Sequence, residues 1–325
     1  YGINLFSDEF LPGLYPTTEI ISGHSIINLR QNQLPTFIQN LVLERRQEQN
    51  WFTSDICNEA GVPYLKISLL DFGMYFLLTY NDGAEFLIEH SGANIYVTSR
   101  KNQTLEDLVT YLVGPLLGFV LRLRAVTCLH ASAIVINNKV IAFTGDSGTG
   151  KSTTAAAFAR LGYKVLSDNM IPVVERGYNF LAQPAYPHLR LRSGAVQALF
   201  GSSDALPMIE SAQPEWDKRF LDLSDISYGF QRNPLPIAVI YQLDNRSENN
   251  RAPYIEELPP EQQKICLEVN TYKNYMLDNR MKDIEYALLE RMLKQIQVRN
   301  LVSHTDPAHL FKLCETVLQD YYKLM

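Results

Sequence analysis

The stretch TGDSGTGKSTT, residues 144–154, decides the fold. From Gly145 to Ser152 it fits the phosphate-loop pattern G-x-x-x-x-G-K-[ST]. An apolar strand-like run, KVIAFT (139–144), leads into it. A helix-like run follows, ending at Gly162, a residue suited to the left-handed position after a helix. In that setting the backbone N–H groups from Asp146 to Ser152 cradle phosphates at a positive helix end. Gly145, Asp146, Ser147, Gly148, Thr149, Gly150, Lys151, Ser152 and Thr153 form the expected nucleotide-binding set. Lys151 would reach the β- and γ-phosphates of ATP, and the Ser152 hydroxyl would ligate Mg²⁺.

The residues before the loop form a second strand, HASAIVI (130–136), and only Asn137-Asn138 separates the two runs. Both asparagines tolerate positive φ, so a type I′ hairpin is expected. Its register carries His130 to the position opposite Gly145, at the mouth of the loop. His130 is either a site residue or a strand histidine satisfied locally. After the helix, YKVLSDN (163–169) reads as the returning parallel strand of a right-handed β-α-β unit. Asp168 falls at its carboxyl end, where ligands sit in such sheets. A carboxylate there could bind Mg²⁺, take a proton from an attacking hydroxyl, or only cap a turn.

Around this core, 325 residues suffice for about two domains. The expected division is a β-rich N-terminal domain, 1–103, before an α/β phosphate-loop domain with a mixed sheet, 104–325. YLKISL (64–69), MYFLLTYNDGAEFLIEH (74–90) and ANIYVTS (93–99) contain β-prone runs, and Asn81-Asp82-Gly83 is a hairpin signal. Asp71-Phe72-Gly73 reads as a turn, because no other protein-kinase signature accompanies it. Thr104 and Asp107 form a capping box for a helix carrying Leu105, Leu108, Val109, Leu112 and Leu116. Residues 202–236 read as a long excursion with little core, IAVIYQL (237–243) as a buried strand, and 279–325 as two amphipathic helices parted near Asp306-Pro307.

A net charge of −6 argues against a broad nucleic-acid surface. Cys57, Cys128, Cys266 and Cys314 form no metal or disulfide pattern, and read as reduced thiols of a cytoplasmic protein. The start, on Tyr1, lacks the features of a secretory leader. The longest apolar run, 108–121, is too short for a membrane span.

With LHASA, GDSGTGKST and LSDN in place, the second half resembles the HPr kinase/phosphorylase superfamily, including the spacings His130 to Gly145 and Gly145 to Asp168. More narrowly, GINLFSDEFLPGL (2–14), GPLLGFVLRLRAVTCLHASAIVI (114–136) and YPHLRLR (186–192) resemble the HPr-kinase-like enzymes of lasso-peptide clusters, which phosphorylate a precursor's C-terminal serine. The resemblance implies Asp168 as catalytic base, His130 as an organiser of the catalytic charges, and Lys151 with Ser152 as holders of phosphate and metal. It also implies a precursor-peptide partner and assembly into homo-oligomers. The chain departs from the family at Asp168-Asn169, where two consecutive aspartates are usual; an amide keeps a carbonyl oxygen for Mg²⁺ but lacks the charge. It also lacks the glycine-rich second signature of HPr kinases.

Arg190 and Arg192 alternate along a strand, facing one side, and with Lys218 of the pair Lys218-Arg219 form a candidate clamp for phosphate or a substrate carboxylate. Surface solvation accounts equally for both pairs. The leading expectation is thus a serine kinase using ATP and Mg²⁺. The alternatives are a kinase for an HPr-like protein or a small metabolite, and a nucleotide-dependent binding module without transfer.

Overall fold

The computed structural model describes residues 1–16, 20–21, 23–32, 34–101, 103–209, 217–225, 227–244 and 246–325. The chain divides into two compact units, with the main break between Arg124 and Ala125.

The N-terminal unit contains β1 (Ile3–Ser7), β2 (Ser25–Arg30), α1 (Thr36–Glu44), β3 (Gln49–Thr53), β4 (Leu65–Leu70), β5 (Tyr75–Tyr80), β6 (Glu85–Glu89), β7 (Asn94–Ser99), α2 (Leu105–Tyr111) and α3 (Leu117–Leu123). The strands form one seven-stranded sheet in the order β1-β2-β7-β6-β5-β4-β3. Alternation along β5 supplies both faces. Leu77 packs with Ile38 and Leu41 of α1, while Phe76 meets Phe119 of α3 edge to face at 5.1 Å. Asp71 and Phe72 turn the β4–β5 hairpin with positive φ, as a turn requires. The Thr104–Asp107 capping box opens α2. The expected single helix is broken by a π turn, Leu112–Leu116, at Gly114-Pro115, since proline cannot donate to the helical ladder. These helices pack within the N-terminal unit, which moves the expected boundary from 103/104 to 124/125.

The second unit contains β8 (Thr127–Leu129), β9 (Ala131–Ile136), β10 (Lys139–Thr144), α4 (Lys151–Arg160), β11 (Lys164–Ser167), β12 (Ile171–Arg176), β13 (Asn179–Ala182), β14 (His188–Arg192), α5 (Ser193–Phe200), β15 (Lys218–Asp222), β16 (Leu235–Leu243), β17 (Tyr254–Glu257), α6 (Pro260–Val269), α7 (Asn279–Leu293), β18 (Gln297–Val302) and α8 (Leu310–Leu324). It is a mixed α/β unit. A nine-stranded mixed sheet runs β11-β9-β10-β16, with β18 and β17 continuing beyond β16, and β13, β12 and β8 joined at the start of β16. Strand β10 is buried on both faces: Ile141 and Phe143 pack with α4 and α8, and Val140 and Ala142 pack with α6 and α7. That double covering explains its unbroken apolar spelling.

Strand β11 returns parallel to β10, as expected, with β9 between them and antiparallel to both. Two expectations change here. The excursion 202–236 contains β15, whose Leu221 is buried and which pairs with β14. The tail holds the buried β18 between α7 and α8. Among the described residues no helix is long and apolar enough to cross a membrane.

Candidate functional site

The hairpin register is the expected one: Asn137 and Asn138 have φ of 50° and 57°, and the ladder runs from Lys139–Ile136 to Thr144–Ala131. It stops one pair short of His130–Gly145. Asn270, after α6, enters there instead. It accepts the Gly145 N–H on Oδ1 (3.1 Å), and its carbonyl accepts the His130 N–H (2.8 Å). The Asn270 amide also donates to Cys266 O, so its orientation is fixed.

Gly145, Gly148 and Gly150 all take positive φ. At Gly145 the requirement is absolute, because a Cβ would lie 2.4 Å from the Leu243 carbonyl of β16. Among the described residues no side chain caps the N-terminus of α4, so its first amides and positive dipole end face the cavity. Lys151 is buried, and its ammonium donates to Gly145 O and Asp146 O at 2.7 and 2.9 Å. Burial pulls its pKa below the usual lysine range, opposed by Asp168 and Asp146.

Asp168 is 5% exposed and is held by three donors. Ser132 and Ser152 hydroxyls donate to Oδ1 at 2.6 and 2.8 Å, and the Arg190 N–H donates to Oδ2 at 3.2 Å. Asn169 takes φ of 71°, a position Asn tolerates. Its side chain lies beside His130, whose charged form it favours, and its amide donates to the Tyr272 hydroxyl at 3.3 Å. Burial, then the Lys151 and Lys273 ammonium groups, lower the His130 pKa to about 4. The imidazole is therefore neutral near pH 7.

His130, Lys151, Ser152 and Asn169 line a cavity of about 540 Å³ with Arg190, Arg192 and Lys218, and Asp168 lies directly behind Ser152. Lys218 pairs across the β14–β15 ladder with Arg192, and burial followed by Arg190 lowers its pKa. Arg190 lies over the Tyr186 ring at 5.7 Å. Arg219 points elsewhere and pairs with Asp217 and Asp204 at 2.9 and 3.4 Å. Sequence reasoning missed Ser132, Asn270 and Arg246. Ser132 carried a signal, as the polar residue two positions from His130 in an apolar strand.

Among the described residues no cluster of three or more His, Cys, Asp or Glu side chains could hold a metal by itself. The oxygens of Ser152 and Asp168, 2.8 Å apart, are the ones that could hold a divalent cation such as Mg²⁺, which commonly takes one or two protein oxygens together with substrate phosphates.

No family model matches the chain. HPr kinase/phosphorylases of Limosilactobacillus reuteri (strain DSM 20016) and of its subspecies reuteri (strain JCM 1112) are each 29% identical to it over 113 residues, 33% of this chain and 33% of theirs. The chain therefore spans about a third of the length of the curated relatives it matches. The solved structure of the Hpr(Ser) kinase/phosphatase from Coxiella burnetii aligns with a TM-score of 0.32 and 12% identity, over 61% of this chain and 97% of that one.

Proposed function

We propose that the chain is a kinase that uses ATP and Mg²⁺ to phosphorylate a serine hydroxyl, and that its acceptor is the C-terminal serine of a lasso-peptide precursor. The observation carrying this reading is the carboxylate of Asp168, buried and hydrogen-bonded to the phosphate-loop hydroxyl of Ser152. The partial similarity to HPr kinase/phosphorylases supports phosphoryl transfer; the peptide acceptor rests on the sequence resemblance.

Asp168 Oδ2 would accept the proton of the serine hydroxyl. The serine oxygen would then bond to the γ-phosphorus as the bond to the β–γ bridging oxygen breaks, leaving ADP. Lys151 and the first amides of α4 would stabilise the charge on the transferring group. Mg²⁺, held by Ser152 and Asp168, would neutralise the phosphate oxygens. Arg190 and Lys218 would bind the carboxylate at the peptide's end, bringing its last residue to Asp168. The outer strands β1 and β3 of the N-terminal sheet offer edges to which an extended peptide could add.

The test is the mass of a precursor peptide after incubation with Mg·ATP. One added phosphoryl group on the terminal serine supports the reading. No addition to the peptide, with addition to an HPr-like protein instead, would move the acceptor to that class; transfer to nothing would favour a binding module.

A further inference from the structure

The carboxyl edge of the second sheet has a direction. Strand β10 carries the phosphate loop; Asp168 follows β11 on one side, and β16 and β18 lie on the other. If the γ-phosphate faces Asp168, as the proposed kinase reading requires, the nucleoside must extend toward the loops after β16 and β18.

The cavity continues that way, to Arg246, Ser303, His304 and His309, with Leu310 and Leu313 of α8 as an apolar wall. The two imidazoles are stacked, with ring centroids 3.9 Å apart and planes 24° from parallel. The Asp306 N–H donates to His304 Nδ1 at 2.9 Å, and the Asp306 carboxylate caps the turn Pro307–His309. Ser247 N–H donates to Ser303 O, and Thr305 N–H to Ser247 O, tying the two loops together. The Arg246 guanidinium reaches the phosphate loop, 3.7 Å from where a Cβ on Gly150 would sit.

Two polar atoms in this wall are buried without a hydrogen-bond partner among the described residues: Ser303 Oγ, on a side chain only 8% exposed, and His309 Nδ1. Buried polar atoms usually have partners. Their placement beside a flat, pre-stacked aromatic surface points to a ligand that is itself flat and carries donors and acceptors at its edge.

We infer that His304, His309 and Ser303 form the nucleobase subsite, stacking a purine ring and hydrogen-bonding its edge, while Arg246 spans the ribose and α-phosphate. Base–aromatic stacking tolerates any flat heterocycle; the Ser303 hydroxyl would supply what preference there is.

The experiment compares binding of Mg·ATP and Mg·tripolyphosphate to the full chain by calorimetry. His309→Ala is expected to weaken ATP between about fivefold and a hundredfold, and to leave tripolyphosphate unchanged. His309→Phe, which keeps a ring, should recover most of the ATP affinity. Unchanged ATP binding in His309→Ala would overturn the inference. So would an equal loss for both ligands, which would mean that the residue supports the loop and not the base. A wild-type chain binding neither ligand would overturn the nucleotide reading itself, and this subsite with it.

Discussion

Ser152 Oγ and Asp168 Oδ1 are joined by a 2.8 Å hydrogen bond across 16 residues of sequence. One group opens α4 and the other closes β11, so the bond fixes where helix and strand meet. If the pair holds Mg²⁺, Ser152→Ala should raise the Mg²⁺ needed for half-maximal phosphoryl transfer by about tenfold or more, the value of a charge-assisted contact. Ser152→Thr should keep the wild-type requirement. A Mg²⁺ titration of both variants checks this.

The phosphate loop should treat its glycines unequally. At Gly145 a methyl group meets the Leu243 carbonyl at 2.4 Å, with φ of 132°, so Gly145→Ala should lose more than about 3 kcal/mol or fail to fold. At Gly148 there is open space, and only the φ of 91° opposes a side chain; Gly148→Ala should lose about 1–2 kcal/mol. Urea denaturation distinguishes the two. Equal losses would contradict the loop geometry.

Asn270→Ala leaves the Gly145 N–H buried without its acceptor. A loss of about 1–3 kcal/mol in urea unfolding is expected, with weaker ATP binding because the loop's first turn is no longer anchored.

His130 gives stability a pH dependence. Its pKa is 6.5 in the unfolded chain and about 4 in the fold, so between those values the unfolded state binds the extra proton. Its contribution is complete above pH 6.5 and is lost as pH falls toward 4, by at most about 3 kcal/mol. Urea midpoints of His130→Gln should fall less between pH 7 and 5 than those of the wild type. In Asn169→Asp, a carboxylate placed beside the ring should raise the His130 pKa, readable in its NMR titration. An unmoved titration would mean that the residues do not touch.

The parts of the site legible in sequence were those set by short-range chemistry. Asn137-Asn138 dictates the hairpin because both residues accept positive φ, and the hairpin fixes the register up to Thr144–Ala131. Glycine spacing dictates the loop, and the strand after α4 delivers Asp168. Parts set by long-range pairing were not legible. Asn270 arrives at Gly145 from 125 residues away, from the end of a helix with no motif. Strand β18, QVRNLV, buries five of its six residues, yet Arg299 and Asn300 among them break the apolar run that marks a central strand. Arg299 instead donates from Nη2 to Asp320 Oδ1 at 3.0 Å.

The most direct measurement is phosphate transfer by Asp168→Asn. Mass spectrometry of a serine-terminated precursor peptide, after incubation with Mg·ATP, should show one added phosphoryl group with the wild type and a rate lower by about 10²–10⁴ with the variant. Transfer at the wild-type rate by Asp168→Asn would contradict the account.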